Sequence, residues 1–390
     1  MIDIRPKTFA TRFAKRLTRW LPRRRHAPAV SGVVKLGVIG LGGVANWKLK
    51  EIATCPLARL VAVCDVRPEA VEQVRRSYPV PHGLTDYRDL LALDDVDAVM
   101  ISTPNALHCP IALAAFETGK HVLCEKPLAL DAREAELMFD AARATQRRAM
   151  VHFPYRLSAE AQFARAAIGQ GLLGDPYHLS LVYAQGGWYA ENGSLENRPG
   201  VGGWRTSRSL SGTGVLSDLG SHALDLARFW LGEADGVAAT LAHLGAVTDA
   251  DAIDDAASYT VRYSSGALGT FVNSRCYTGR RQHFVAELYG SRGSLCYRPG
   301  RLDWFDRPLG RWIEVAVPDE FARNITHEFC RAVLTGEPTA PDFEDGLRVQ
   351  ELLDAIVASS RSGRSVALGT STDGCVDTED SNDECLMTND

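Results

Sequence analysis

The chain lacks the features that mark several special classes of protein. Its nine cysteines are odd in number and form no Cys-x-x-Cys pair, which argues against a disulfide framework or a zinc site and favours a reduced, cytoplasmic protein. No apolar run approaches the roughly 20 residues of a membrane-spanning helix. The net charge of −5 gives no general affinity for nucleic acid. We therefore expect a globular protein of two domains among its 390 residues, without a metal site.

The two ends of the chain differ in charge from the middle. Residues 1–32 are rich in arginine and lysine and contain one acidic residue, Asp3. Such a segment is typical of a flexible solubilising arm, a transit-like extension or an amphipathic helix in weak contact with an anionic membrane surface. Residues 369–390 contain neither lysine nor arginine, and their Ser, Thr and Asp content predicts a disordered acidic tail.

The most informative motif is an apolar run that breaks into glycines at residues 36–45. A strand that enters a helix through such a turn forms a phosphate cradle, because the first glycine allows the turn and the second lets a diphosphate approach the backbone. The small third position, here Ala45, allows close packing of helix on strand. The cofactor contacts predicted in this turn are Gly40, Gly42, Gly43 and Val44.

The order of the predicted elements divides the chain in two. Strands and helices alternate over residues 33–153, which predicts a dinucleotide-binding Rossmann domain with a doubly wound parallel sheet. Over residues 154–368, closely spaced β-rich runs predict an α+β domain with an open, largely antiparallel sheet. A long helix over about 216–231 interrupts those strands. The predicted fold class is therefore α/β followed by α+β.

Asp65 supports the assignment of the glycine turn to a dinucleotide. It follows the second predicted strand, near the spacing expected for the acid that binds the adenosine ribose. A carboxylate there repels a 2′-phosphate and favours NAD. Arg67 could instead hold such a phosphate, so NADP stays open.

Two loops follow later strands and should emerge at the same edge of the sheet. The first contains Thr103, Pro104, Asn105 and His108, and the second contains Glu125 and Lys126. A lysine beside the nicotinamide would stabilise a developing alkoxide. The alternative for Lys126 is an ordinary surface position.

A third group of polar residues lies on the predicted helix at 216–231. Asp218, His222 and Asp225 are spaced i, i+4 and i+7, which predicts that they share one face. A histidine can take a hydroxyl proton near neutral pH, and Asp218 could orient that ring or bind substrate. The alternatives are an exposed carboxylate–imidazole pair or a metal site without further ligands.

Together these motifs resemble the glucose–fructose oxidoreductase, inositol dehydrogenase and rhizopine-catabolism (Gfo/Idh/MocA) family. The glycine turn, Thr-Pro-Asn-x-x-His, Glu-Lys-Pro and Asp-x-Gly-x-His occur in the family's order over about residues 33–368. The resemblance implies that Lys126, Asp218 and His222 are catalytic, with His222 as the acid/base. It also implies that substrate contacts come from Tyr155, Arg156, Trp204 and Arg205. His152-Phe153-Pro154 depart from the family's Gly and Asn.

The resemblance further implies an NAD(P)-dependent oxidoreductase that acts on a sugar, cyclitol or related polyol. Family members are often dimers or tetramers that associate through the open sheet, so we expect a homo-oligomer. Two other hypotheses remain open: a dinucleotide-sensing regulator without catalysis, and a glycosidase assisted by tightly bound NAD. A sensor would bind NADH without turnover, and a glycosidase would cleave glycosides without net change in NADH.

Overall fold

The structure, a computed structural model, describes residues 30–43, 45–186, 204–244 and 253–369. Val44, nearly all of the basic arm and the acidic tail, and the segments 187–203 and 245–252 lie outside these residues. Helices within the described ranges are all too short or too polar to cross a membrane.

A parallel sheet forms the first part of the described chain, with its strands in the order β3-β2-β1-β4-β5-β6. The order reverses between β1 and β4, so the loops at their carboxyl ends diverge and leave a crevice. The strands are β1 Val34–Ile39, β2 Ala58–Cys64, β3 His82–Leu84, β4 Ala98–Ile101, β5 His121–Cys124 and β6 Ala149–Val151. The helices are α1 Ala45–Thr54, α2 Pro68–Ser77, α3 Tyr87–Leu91, α4 His108–Glu117 and α5 Ala132–Ala144.

Local sequence signals explain most of these boundaries. Pro68 begins α2, where its missing N–H leaves no partner unsatisfied. Asp131 caps α5 by accepting from the Glu134 amide at 2.8 Å, and Glu134 in turn accepts from the Leu130 amide. The sequence did not predict β3 and α3, because His82–Leu84 is a half-buried edge strand of three residues without alternating polarity.

A second, mixed sheet follows, in the order β14-β13-β12-β11-β7-β10-β9-β8-β15. Its pairs are antiparallel except β7 with β10, which confirms the predicted open, largely antiparallel sheet. The strands are β7 Pro176–Ala184, β8 Ala234–Ala242, β9 Ala256–Tyr263, β10 Leu268–Ser274, β11 His283–Gly290, β12 Ser294–Arg298, β13 Arg301–Asp306, β14 Arg311–Glu314 and β15 Val366–Ala367. The helices are α6 Ala159–Gly169, α7 Arg208–Ser211, α8 Ser221–Leu231, α9 Ile325–Thr335 and α10 Phe343–Ser362.

Helices pack on one face of the second sheet, and two of them also reach the first domain. The apolar stripe of α8 is buried, with Leu226 and Trp230 at 0% and 1% exposure. Helix α9 places Ile325 and Phe329 in the same core as Val34 and Leu36 of β1. Helix α10 packs on α5 and β8. The late part of the chain therefore fixes the edge at which the two domains meet.

Candidate active site

The glycine turn brings the ends of β1 and β4 into close approach. Gly40 has φ +93°, and a Cβ there would lie 2.6 Å from the Ser102 backbone. At Gly42 an added Cβ would meet no protein atom within 4 Å, so the turn is open on that side. Helix α1 begins directly after it, with its unpaired N–H groups at this edge. An open glycine turn before a helix N-terminus fits a diphosphate.

Asp65 lies at the end of β2 beside this turn. Its Oδ2 accepts from the Leu41 amide at 2.8 Å, and its Oδ1 accepts from Arg67 Nε at 3.0 Å. Burial opposes ionisation of Asp65, but the hydrogen bonds from Arg67 and the backbone outweigh it and hold the pKa of this carboxyl below its usual value. The carboxylate is therefore charged at the position expected for ribose recognition.

Two polar side chains of the loop after β4 contact backbone oxygens of the protein, so they do not point wholly into the crevice. The buried His108 ring lies between two carbonyls, with Nδ1 3.0 Å from the Pro127 oxygen and Nε2 3.1 Å from the Thr103 oxygen. Asn105 donates from Nδ2 to the Ser211 carbonyl at 3.0 Å. His108 thus holds the two predicted cofactor loops together, and Asn105 links them to the second domain.

Lys126 follows β5 and reaches across to the second domain. Its Nζ donates to the Asp218 backbone oxygen at 2.7 Å and to Asp218 Oδ1 at 2.9 Å. The other carboxylate oxygen, Oδ2, accepts from Arg275 Nη2 at 3.1 Å. Burial opposes the charge on Asp218, but Lys126 and Arg275 outweigh it and keep the pKa of that carboxyl far below its usual value. A cation from each domain is therefore fixed on one carboxylate.

The segment that carries Asp218 is not regular α-helix. Leu216–Gly220 forms a π-turn that continues into α8, where the sequence predicted one α-helix. Asp254 accepts from the Gly214 and Leu216 amides at 2.6 and 2.7 Å and anchors its start. Such π-turns alter the direction of side chains and occur often at functional sites.

His222 lies in the first turn of α8 and is 9% exposed. The Tyr155 ring stands perpendicular to it with centroids 5.0 Å apart, and Phe153 and Tyr183 lie nearby. Its Nδ1 has no hydrogen-bond partner among the described residues. Burial and then the positive charge of Lys126 hold the pKa of His222 well below its ordinary value. The imidazole is therefore neutral near pH 7 and can accept a proton.

The structure brings Asp218 and His222 of the predicted group to one cavity, whereas Asp225 lies outside its wall. Both carboxylate oxygens of Asp218 point to Lys126 and Arg275, and aromatic packing orients His222. Asp225 is buried and pairs with Arg156, whose Nε lies 2.9 Å from Asp225 Oδ2.

Arg156 also lies apart from the other predicted substrate contacts. Besides Asp225, its guanidinium donates to Asp345 Oδ2 at 2.9 Å, and the residue is 4% exposed. It joins the start of α10 to α8. Tyr155 beside it packs on His222, and its hydroxyl lies 2.9 Å from that of Tyr183. These two residues form the support behind the cavity wall.

The sequence did not predict a second charged group at the cavity. Lys48 of α1 is 1% exposed and forms an ion pair with Glu125 Oε1. His152 Nδ1 lies 3.1 Å from the same oxygen. Burial opposes ionisation of Glu125, but Lys48 and His152 help hold its pKa far below the usual value. No sequence signal distinguished Lys48 from the other polar residues of its helix, whereas the departure from the family pattern was the signal for His152.

These residues surround a cavity of about 230 Å³ between the two domains. Within the described ranges, no three His, Cys, Asp or Glu side chains are grouped so as to hold a metal ion. The predicted residues that line the cavity are Gly42, Gly43, Thr103, Asn105, Glu125, Lys126, Trp204, Arg205, Asp218 and His222. The predicted residues outside its wall are Gly40, Asp65, Arg67, Pro104, His108, Tyr155 and Arg156.

Comparisons with known proteins agree with this arrangement. Residues 34–153 match the oxidoreductase family with an NAD-binding Rossmann fold, and residues 161–296 match the GFO/IDH/MocA C-terminal domain. The chain is 28% identical to levoglucosan dehydrogenase of Pseudarthrobacter phenanthrenivorans over 351 residues, 78% of this chain and 88% of that protein. It is 30% identical to 1,5-anhydro-D-fructose reductase of Ensifer adhaerens, over 70% of this chain and 78% of that protein.

A solved structure is similar over nearly the whole described chain. Levoglucosan dehydrogenase in complex with NADH and levoglucosan superposes with a TM-score of 0.80 at 26% identity. The match covers 87% of this chain and 100% of that one. The resemblance therefore extends through both domains and across the cavity between them.

Proposed function

This chain belongs to the Gfo/Idh/MocA family of NAD-binding oxidoreductases, and we propose that it transfers a hydride between a nicotinamide cofactor and a secondary alcohol or ketone of a sugar, cyclitol or related polyol. The observation that carries this proposal is the meeting of Lys126, Asp218 and His222 in one cavity that also opens on Gly42 and Gly43. A cation, a carboxylate and a neutral imidazole beside a diphosphate cradle are the groups that alcohol oxidation requires.

The residues at the crevice fit a dinucleotide. The open glycine turn would hold the diphosphate, and Asp65 would accept from the hydroxyls of the adenosine ribose. Because Arg67 is already paired with Asp65, its charge is largely compensated at this position. We therefore propose NAD as the preferred cofactor. When bound, the nicotinamide supplies the hydride acceptor, or the donor in the reverse direction.

The proposed chemistry of the chain itself centres on one substrate oxygen. Two of the three Lys126 N–H donors point to Asp218, so the third can donate to the substrate oxygen and stabilise its developing negative charge. His222, which lines the same cavity, accepts the hydroxyl proton. Asp218 fixes Lys126 in place, with Arg275 holding the other side of the carboxylate.

The lining of the cavity favours a small polyol. The Trp204 ring lines the cavity, with the Arg205 guanidinium over one of its faces at 4.4 Å, and Thr213 and Ser217 line the cavity as well. A ring face beside polar groups suits a sugar, which is apolar on its C–H faces and polar at its hydroxyls. The activity of the similar levoglucosan dehydrogenase supports this class of substrate.

We also propose that the open sheet joins two or more copies of the chain. Helices cover one face, and along β9 buried residues alternate with exposed ones, which include Ser258, Thr260 and Arg262. Light scattering after size-exclusion chromatography gives the test. A monomer at micromolar concentration would contradict this assignment.

A substrate screen tests the proposed function. The full chain is incubated with a panel of sugars, anhydrosugars, cyclitols and polyols, with NAD and NADP in parallel, and formation of the reduced nicotinamide is followed by absorbance. We expect turnover on at least one member with a preference for NAD. Binding of NADH by calorimetry with no turnover in either direction would favour a sensor. Cleavage of a glycoside without net NADH would favour an NAD-assisted glycosidase.

A further inference from the structure

His152 lies at the cavity wall in a pairing that no catalytic role so far requires. It directly follows β6, and its backbone amide donates to the Cys124 carbonyl at 2.7 Å, which fixes its place beside the end of β5. Its Nδ1 lies 3.1 Å from Glu125 Oε1, and its side chain is 4% exposed. The residue lines the same cavity as Lys126 and His222.

The pairing with Glu125 determines which ring nitrogen carries the proton. An ionised carboxylate accepts hydrogen bonds and cannot donate one, so with Glu125 Oε1 3.1 Å away we assign the hydrogen of the neutral His152 ring to Nδ1. In the neutral ring, Nε2 then keeps a lone pair and acts as an acceptor. Burial lowers the pKa of His152 to about 4, although Glu125 opposes the shift, so the ring is neutral near pH 7.

The acceptor at Nε2 is not used within the protein. This atom is buried and has no hydrogen-bond partner among the described residues. Trp47 stands edge-on to the ring with centroids 6.1 Å apart, but its indole N–H, the one donor of that side chain, makes no hydrogen bond to Nε2. Buried polar atoms in native proteins are nearly always satisfied, so an orphan acceptor in a cavity wall points to a ligand donor.

The position of His152 in the sheet indicates which part of the bound ligands lies near its Nε2. Asp65 follows β2, and His152 follows β6, on opposite sides of the glycine turn after β1. If Asp65 binds the adenosine ribose, the nicotinamide and the substrate lie toward β5 and β6. Both carry neutral donors, the amide N–H of the carboxamide and the O–H groups of the sugar.

We propose that Nε2 of His152, held by Glu125, accepts a hydrogen bond from an uncharged N–H or O–H group of the bound ligand at the nicotinamide end of the cavity. The proposal rests on the proposed function. Glu125 thereby positions two groups at once, since its Oε2 also accepts from the Lys126 amide at 3.2 Å. His152 is thus a binding residue, in addition to any support it gives to Glu125.

The test uses two substitutions that separate the ring nitrogens. In His152→Asn the amide nitrogen can replace Nδ1 and still donate to Glu125, but no acceptor reaches the place of Nε2. In His152→Gln the longer side chain places an amide oxygen near Nε2. His121→Gln is the matched control, because His121 is also a partly buried histidine but lies at the opposite end of β5 and accepts from the Arg148 amide.

NADH affinity is measured by calorimetry without substrate, sugar KM by steady-state kinetics, and melting temperature on the same samples. If the donor is the carboxamide, His152→Asn should weaken NADH binding about 2- to 12-fold, the range of one net hydrogen bond. If it is a sugar hydroxyl, NADH affinity should stay and KM should rise by that factor. In either case His152→Gln should recover part of the loss, and His121→Gln should change neither constant.

Three results would overturn the inference. Unchanged NADH affinity and KM in a folded His152→Asn variant would show that no ligand uses this acceptor. Equal losses in His152→Asn and His152→Gln, with lowered melting temperatures, would assign His152 to the support of Glu125 alone. Failure of the wild type to bind either NADH or NADPH would refute the proposed function and this inference with it, whereas wild-type binding with unaffected variants refutes this inference only.

Discussion

Replacement of Lys126 by methionine tests the central feature of the proposed site. Methionine keeps the length of the side chain but removes the donors that lie 2.7 and 2.9 Å from Asp218 and the third N–H proposed to meet substrate. One pre-organised donor to a developing oxyanion contributes about 2.7–4 kcal/mol, or ~10²–10³ in kcat. We expect a kcat loss of that size, with a much smaller change in sugar KM, because the contact strengthens as charge develops.

The same substitution should move the pH dependence of the reaction. Burial is the main cause of the low pKa of His222, and the charge of Lys126 is the next. Removing that charge makes the imidazolium less unfavourable, so the pKa of His222 rises. Alcohol oxidation needs neutral His222, and the acid limb of the kcat profile should therefore shift to higher pH in Lys126→Met.

Lys126→Arg is the matched control. It keeps the positive charge, so the acid limb should stay near its wild-type position while the altered donor geometry lowers kcat. Asp218 retains Arg275 as a partner at 3.1 Å, and we expect both variants to fold, as checked by circular dichroism. A kcat for Lys126→Met within tenfold of the wild type, with an unmoved acid limb, would refute the assigned role of Lys126.

Four further outcomes are expected. His222→Asn removes the proposed base and should lower kcat at least about 100-fold; turnover within tenfold across active substrates would disprove the assignment. Asp65→Ser removes the charge that repels a 2′-phosphate, so the kcat/KM ratio of NAD to NADP should fall about tenfold or more, and an unchanged ratio would contradict it. Gly42→Ala should melt like the wild type yet bind NADH more weakly by calorimetry. Gly40→Ala should lower the melting temperature, because Gly40 has φ +93° and an added Cβ would lie 2.6 Å from a neighbouring backbone. A lower melting temperature for Gly42→Ala than for Gly40→Ala would contradict these roles of the two glycines. Burial lowers the pKa of His152 to about 4, so between about pH 6.5 and 4 the unfolded chain binds a proton that the folded protein does not. As the pH falls over this range, the free energy of unfolding measured in urea should decrease by up to about 1.4 kcal/mol per pH unit more in the wild type than in His152→Asn. An equal pH dependence of the two proteins would contradict this expectation.

The sequence predicted the parts of the site that depend on strand ends. Glycines, Asp65 and the loop that carries Lys126 each follow a predicted strand, and parallel strands bring their carboxyl ends to one edge. The order of the strands then follows from the doubly wound pattern. For this reason the crevice and most of its lining could be expected without coordinates.

Features that depend on contacts across the domains could not be predicted in the same way. The i, i+4, i+7 spacing assumes a regular helix, but Leu216–Gly220 is a π-turn, and the spacing gives no indication that Asp225 pairs with Arg156 while Asp218 lines the cavity. Sequence distance gives no indication that Arg156 meets Asp345, 189 positions later. A buried arginine with two carboxylate partners is distinguishable from a substrate-binding arginine only when those partners are seen.

The fixed charges around the cavity explain why proton acceptance and charge stabilisation fall to different residues. Lys48 pairs with Glu125, whereas Lys126 and Arg275 both pair with the Asp218 carboxylate. Burial, and next the positive charge of Lys126, lower the pKa of His222, and the same cation favours an anionic oxygen beside it. In the proposed reaction a weak base can remove the hydroxyl proton, because nearby cations stabilise the alkoxide and so lower the pKa of the alcohol itself. In the proposed reaction, the main catalytic contribution of this site is therefore stabilisation of the alkoxide, and His222 receives a proton that the nearby cations make easier to release.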